Sequence, residues 1–374
     1  MGDALEEHYS YLSDTNRLAR FELAVARAVA AGDSVADIGC GFGVLGLMCL
    51  KAGASHVWGI DESPAIEIAR EAMARNGLAD RYSCLHESSF RVELPQRVDI
   101  VICDHVGYFG FDYGIVEAVG DARRRFLKPG GKVVPERITL HVAAAQSSDC
   151  RALADAWASA PVPAELHWLR EYGVNTKHPH RFAAADLASG PAELGCIDLR
   201  GECPAHSSFT AQLEIGRPCE LDGLAGWFEC DIFAGVSMTN SPLAADRINR
   251  RQVFLPFATP LSVVAGDTVS VTVSVRHESM FIAWTARVAR TGQSSRQSTW
   301  ASTILDQQDR IPPAERIPKL SPSGEARRAL LALVDGRATN AENERAMLSD
   351  HADLYPSQEQ IARFVRSELF RSTR

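Results

Sequence analysis

Hydrophobic and polar positions alternate in two different ways along this chain. In the first third, short apolar runs stopped by glycine or an acid alternate with segments whose apolar residues recur at helical spacing. Ser34 to Ile38 reads as a strand halted by glycines, and Val44 to Ala52 as a helix of small and apolar residues. His56 to Asp61 is a second strand. Pro64 to Asn76 is a second helix, with Pro at its first position and Gly77 past its end. Val98 to Cys103 is a buried-type strand ending in Asp104, and a helix from Tyr113 to Leu127 is ended by Lys128-Pro129-Gly130-Gly131. This order predicts an α/β domain over residues 1–135, a parallel sheet with helices on both faces.

After Pro135 the period becomes two. Short alternating strands with turn residues between them dominate, as in Val263 to Gly266 followed by Thr268 to His277. There Val269, Val271, Val273 and Val275 fall on one face. A mostly antiparallel β domain is expected over 136–310, with a helical interruption at about 149–172 that carries Trp157 and Trp168. A proline-rich linker runs from Ile311-Pro312-Pro313 to Pro318 and Pro322. It leads to a helical appendage at 320–374, where Arg327 to Val334 and Gln358 to Leu369 read as amphipathic helices around Asp335-Gly336-Arg337.

Composition narrows the class. With 374 residues, 46% hydrophobic and 23% charged, the chain has material for two or three globular domains. Its apolar runs are too short to span a membrane. The acidic start, Met1-Gly2-Asp3-Ala4-Leu5-Glu6-Glu7, lacks the apolar core of a signal peptide, so a cytoplasmic protein without a membrane partner is expected. Nine cysteines without any Cys-x-x-Cys spacing predict reduced, mostly buried thiols and no metal. A net charge of −8 provides no basic footprint for nucleic acid, and Arg123-Arg124-Arg125 reads as the solvated face of a helix.

The chemistry-bearing motif is Val35-Ala36-Asp37-Ile38-Gly39-Cys40-Gly41-Phe42-Gly43, a Gly-x-Gly-x-Gly turn between strand and helix where the backbone can approach a ligand. Asp61 ends the next strand 22 residues after Gly39, near the spacing of about 20 that places an acid on a ribose. Asp37, just before the turn, suits an amino-acid ammonium group better than a pyrophosphate. Leu127-Lys128-Pro129-Gly130-Gly131 resembles a phrase that methyltransferases keep after the fourth helix. Together these features predict S-adenosyl-L-methionine as cofactor.

Over most of residues 8 to 305 the chain resembles the protein arginine methyltransferases. His8-Tyr9-Ser10-Tyr11-Leu12-Ser13-Asp14-Thr15-Asn16-Arg17 resembles their N-terminal helix, which implies cofactor contacts from His8 and Arg17, with Arg17 on the methionine carboxylate. Val57-Trp58-Gly59-Ile60-Asp61-Glu62-Ser63 resembles their ribose-binding strand, and Ser89 and Phe90 fall where the family contacts adenine. Trp227-Phe228, Ser241-Pro242 and Arg251-Gln252-Val253-Phe254 resemble landmarks of their β-barrel, and Tyr172-Gly173 a phrase near their dimerisation arm. The resemblance implies a Rossmann-like class I methyltransferase domain, a β-barrel domain with a helical arm, and a homodimer. Residues 327–369 resemble small winged-helix modules that recognise peptides.

The acceptor end departs from that family. Arginine methyltransferases clamp the guanidinium, whose pKa exceeds 12, with two glutamates on one loop. Asp104 falls at the first of these positions and Tyr113 at the second, with Asp112 or Glu117 available to compensate. Ile248-Asn249-Arg250 replaces the family's Thr-His-Trp loop. Asp104, which adjoins the cofactor as well, is expected to act with Tyr108 or Tyr113 as hydrogen-bond partner. His105 either serves as a base, since imidazole titrates near neutrality, or fills the volume of the family's Trp. The reading is a methyltransferase acting on nitrogen of a small-molecule or peptide acceptor. The alternatives are a protein or free arginine methyltransferase with a rearranged acidic pair, and an inactive cofactor-binding subunit.

Overall fold

Helices α1 (Gly2–Leu12) and α2 (Thr15–Ala28) meet at a corner set by Asp14, whose carboxylate accepts the Arg17 amide at 3.1 Å and caps α2. Phe21, Ala24, Val25 and Ala28 form the buried stripe of α2, with Arg17 at its head. The computed structural model describes residues 2–305, 315 and 317–373, in two compact units, Met1–Thr303 and Ile304–Arg374.

The first unit continues through β1 (Ser34–Ile38), α3 (Val44–Lys51), β2 (His56–Asp61), α4 (Ala65–Arg75), β3 (Tyr82–His86), β4 (Val98–Cys103), α5 (Ile115–Arg125) and β5 (Leu127–Val134). The strands pair in parallel in the order β3-β2-β1-β4-β5. Helices cover such a sheet on both faces, so β1 is buried along its whole length. The order reverses between β1 and β4, and the loops leaving their carboxyl ends part to open a crevice. Two expectations change here. Lys128-Pro129-Gly130-Gly131 lies within β5 rather than in a turn ending a helix, and the pairing with β4 slips between Val98 and Ile100 to accommodate it. The edge strand β3 went unpredicted because only Tyr82 of its five residues is fully buried, leaving no apolar run to read.

The antiparallel part follows: β6 (Arg137–Ala145), α6 (Ser148–Asp155), α7 (Arg170–Val174), β7 (His178–His180), β8 (Ala192–Asp198), β9 (His206–Glu214), β10 (Cys219–Phe233), β11 (Val236–Thr239), β12 (Gln252–Val263), β13 (Thr268–Arg276), β14 (Phe281–Val288) and β15 (Ser294–Ser298). One sheet runs β7-β12-β10-β6-β8 with β11 against β10, and the other β15-β14-β13-β9. Val269, Val271, Val273 and Val275 are all buried, as their period requires. The buried Trp284 indole donates to the Pro256 carbonyl at 2.7 Å, tying β14 to β12. Val263 to Gly266 is not a separate strand: Val263 ends β12, and a turn follows in which Gly266 has φ +85° and Asp267 accepts the Val264 amide. Between β6 and β7, Arg151 and Arg170 both bond Asp155 at 2.7 Å and brace α6 against α7.

The second unit consists of α8 (Pro322–Leu333), α9 (Asn340–Asp350) and α10 (Gln358–Ser372) around Leu330, Met347, Ile361, Val365 and Leu369. The sequence reading has two helices here. It lacks α9, whose buried face is only Asn343 and Met347, although Thr339 and Glu342 form a full capping box at its start. No strand occurs in this unit among the described residues, whereas a winged-helix module carries a β-hairpin wing. Pro312 and Pro313 of the linker lie outside the described residues, and Pro322 opens α8. Among the described residues no helix is long and apolar enough to cross a membrane.

Candidate functional site

A cavity of about 740 Å³ opens at the carboxyl ends of β1, β2 and β4, where the sheet order reverses. Its floor is the glycine turn. Gly39 and Gly41 have φ of +64° and +51°, in the left-handed region that side chains avoid. A Cβ on Gly39 would lie 2.0 Å from His105 Nε2, and one on Gly41 2.6 Å from His8 Nε2. The turn is held by the Ile60 carbonyl, which accepts the Gly39 amide at 2.8 Å, and by Asp61, whose Oδ2 accepts the Gly41 amide at 2.8 Å. Asp61 Oδ1 accepts the Ser63 amide, also at 2.8 Å, and each oxygen keeps a lone pair for a further donor.

Of the residues singled out in sequence, His8, Arg17, Asp37, Gly39, Gly41, Asp61, Glu62, Ser89, Phe90, Asp104, His105 and Tyr113 all line this cavity. Tyr108 does not line it. It packs edge-on against Tyr113 with ring centroids 5.5 Å apart and is held by Asn240, whose amide donates to its carbonyl at 2.8 Å. The His8 ring stacks on Phe42 at 3.9 Å. Arg17 pairs with Asp104 and donates to the Tyr11 carbonyl, while Arg17 Nε and Asp104 Oδ1 have no hydrogen-bond partner among the described residues. Burial, and then the charge of Arg250, pull the Arg17 guanidinium down to about 10. Burial likewise lowers His105, which therefore stays neutral at pH 7. Burial raises the Tyr113 phenol, helped by its hydrogen bond with Tyr108.

Asp37 belongs as much to the scaffold as to the cavity. Its Oδ2 accepts the Gly46 amide at 2.9 Å and the Tyr82 hydroxyl at 3.3 Å, joining β1 to α3, and burial pushes its carboxyl up to about 7. Asp112 does not supply a second acid for an acceptor. Its Oδ1 accepts the Phe109 amide and its Oδ2 pairs with Lys177, both at 2.8 Å. Glu117 keeps a carboxylate on the cavity wall, raised by burial and then by the charge of Glu278, another lining residue.

Sequence reasoning missed Phe42, Glu278 and Met280 and left Tyr11 and Arg250 without a role, although all five line the cavity. Asn249, in the loop before β12, gives its amide to Asp14 Oδ2 at 2.6 Å, so the loop is pinned to the corner between α1 and α2. No local signal marks Glu278 or Met280, because they reach the site only through the β13–β14 connection.

The sequence profile of the family described as ribosomal protein L11 methyltransferase (PrmA) matches residues 21–134, the segment that builds the glycine turn and parallel sheet. An arginine N(omega)-methyltransferase from Streptomyces achromogenes subsp. streptozoticus is 28% identical over 282 residues, covering 70% of this chain and 74% of the relative. Protein arginine N-methyltransferase 1 of Chlamydomonas reinhardtii is 29% identical over 236 residues, covering 59% and 66%. In three dimensions, the protein arginine methyltransferase 1 enzyme–prozyme complex of Trypanosoma brucei with S-adenosylhomocysteine aligns with a TM-score of 0.67 at 21% identity, over 78% of this chain and 96% of that one. The chain is an arginine-methyltransferase-like class I methyltransferase that uses S-adenosylmethionine. Protein arginine methyltransferase 10 of Arabidopsis thaliana aligns equally well, with a TM-score of 0.67 at 19% identity, over 79% and 98%. The methyltransferase thus pairs a Rossmann-like domain with a barrel domain, and its cavity fits the cofactor. The glycine turn leaves no room for side chains there, and Arg17 Nε and Asp104 Oδ1 are buried without a hydrogen-bond partner among the described residues.

Proposed function

We propose that the methyltransferase transfers a methyl group to nitrogen on a small-molecule or peptide acceptor. The carrying observation is the Arg17–Asp104 ion pair, which lines the same cavity as Tyr113, where the family implied by the sequence has two free glutamates. A single carboxylate engaged by an arginine suits an acceptor less demanding than a fully charged guanidinium. In this reading Gly39 and Gly41 admit the cofactor backbone, Asp61 and Glu62 take the ribose hydroxyls, Ser89 and Phe90 flank the adenine, and His8 and Arg17 hold the methionine end. Asp37 stiffens the turn and faces the ammonium group. The cofactor supplies an electrophilic methyl on a sulfonium. With the cofactor held there, the acceptor nitrogen's lone pair would take the methyl and leave the sulfur as a thioether, and Asp104 or neutral His105 would take the nitrogen's proton. Tyr113 orients the nitrogen, and Tyr108 holds Tyr113 in place.

A second reading, methylation of free arginine, is favoured by Glu117 and Glu278, which line the same cavity, and by the arginine-acting Streptomyces relative. The segment 148–174 is proposed as the contact of a cytoplasmic homodimer, since it exposes Trp157 (45%) and Trp168 (59%). The deciding experiment incubates the protein with S-adenosylmethionine and either free amines, L-arginine or an arginine-rich peptide, and reads the gain of a methyl group by mass spectrometry. Turnover confined to arginine-rich peptide would refute the small-acceptor reading.

A further inference from the structure

Arg250 replaces the last residue of the family's Thr-His-Trp loop, and the structure buries its guanidinium in the wall of the cavity, only 7% exposed. The loop is anchored on both sides: the Ile248 amide donates to the Thr239 carbonyl at 2.9 Å, and Asn249 is tied to Asp14. The guanidinium lies over the Tyr11 ring at 5.1 Å and the Tyr113 ring at 5.6 Å, and Nη1 donates to the Val106 carbonyl. Among the described residues no carboxylate pairs with it. Its positive charge also opposes that of Arg17. A buried cation with one hydrogen bond and no counter-ion is expensive to keep, unless the site exists to receive an anion.

We propose that Arg250 anchors a carboxylate of the methyl acceptor, which makes the acceptor a small amine of the amino-acid class. This rests on the small-acceptor reading above, in its free-arginine form. The planar fork of arginine matches a carboxylate with two parallel hydrogen bonds, and its placement over two tyrosine rings fixes the plane of that fork. Arg17 Nε, unpartnered and buried, already offers a donor to the cofactor's carboxylate, so the second cation is left for the acceptor's. Glu117 and Glu278 line the same cavity and suit the acceptor's ammonium or guanidinium. Cation and acids together form the complement of a zwitterion.

The test compares binding of L-arginine with binding of agmatine, which keeps the guanidine and lacks the carboxylate, to the S-adenosylhomocysteine complex by calorimetry. Wild type, Arg250→Gln and Arg250→Lys are measured side by side. Wild type binds L-arginine about 10- to 100-fold more tightly than agmatine, the range expected of a charge-assisted hydrogen bond. Arg250→Gln loses that preference while still binding S-adenosylhomocysteine, and Arg250→Lys keeps part of it. Equal binding of the two ligands by wild type, or no binding of L-arginine, overturns the proposal without need of any variant. A Gln variant that retains the preference overturns it as well. Loss of S-adenosylhomocysteine binding in Arg250→Gln, with Arg250→Lys rescuing it, would instead put Arg250 on the cofactor. Methyl transfer to an arginine-rich peptide and to no small amine refutes the underlying reading, a result separate from any ratio of affinities.

Discussion

Asp104 and Arg17 form an ion pair, about nine-tenths buried on each side chain, that joins the end of β4 to the head of the buried stripe on α2. The pair links the residue proposed to face the acceptor with the residue proposed to hold the cofactor's carboxylate, so neither role is independent of the other. Replacing Asp104 by Asn removes the ion-pair partner of buried Arg17, and breaking such a pair costs about 3–5 kcal/mol. The expected result is a lower melting temperature together with methyl transfer reduced about 100-fold or more. An Asp104→Asn protein that methylates its acceptor at the wild-type rate would remove Asp104 from the mechanism.

The glycine turn yields a steric prediction. Gly39→Ala should abolish S-adenosylhomocysteine binding, because the new methyl group lands on the His105 ring and φ of +64° is unfavourable for alanine by about 1–2 kcal/mol. Gly39→Ala with His105→Ala relieves the collision and leaves only the backbone strain. Calorimetry on the two proteins separates these contributions; identical affinities would show that the collision plays no part.

Asp37 makes stability depend on pH. Its folded carboxyl is raised from 3.8 to about 7, so between those values the folded state holds a proton that the unfolded state has lost. Stability therefore falls as pH rises from about 4 to about 7, at up to about 1.4 kcal/mol per pH unit, and levels off above. Asp37→Asn should flatten that slope in thermal melts. A slope unchanged by the substitution would mean that Asp37 is ionised in the folded protein throughout.

Buried His105 titrates below its ordinary 6.5. If it takes the acceptor's proton, the acid limb of kcat/KM lies below pH 6.5 and disappears in His105→Gln, whereas a ring that only fills volume leaves the limb in place. The pH profile of kcat/KM for the two proteins decides between the two roles.

The exposed indoles of Trp157 and Trp168 supply the last prediction. Replacing both with Ala should shift the protein from dimer to monomer in analytical ultracentrifugation while S-adenosylhomocysteine still binds. A monomeric wild type, or a dimer indifferent to the double substitution, contradicts the assignment of this segment as the contact.

Much of the glycine-turn end of the cavity was legible in the sequence because it is local. Gly39, Gly41 and Asp61 act through backbone conformation and through the ends of adjacent parallel strands, and both leave a signature within a few dozen residues. Helix α9 and strand β3 escaped because neither carries a periodic apolar face of any length. Asp112 looked like a spare acid until the fold set Lys177 beside it, 65 positions further along the chain. Tyr108 looked like a cavity residue, but its carbonyl is held by Asn240 and its ring packs on Tyr113.

By itself, then, the sequence determined the alternation of strand and helix, the glycine turn between β1 and α3, and the residues Asp104 to Tyr113 that follow β4. Such features depend on hydrophobic period and on which residues tolerate a positive φ, and both are properties of short segments. Only the tertiary structure decided that Arg17 pairs with Asp104 and that Arg250 enters the cavity beside Tyr11 and Tyr113, with no carboxylate on it among the described residues. The physical reason is that charge pairing and burial depend on the distance between groups far apart in the chain. Asp14 and Asn249, 235 positions apart, are brought to 2.6 Å by packing that no local pattern encodes.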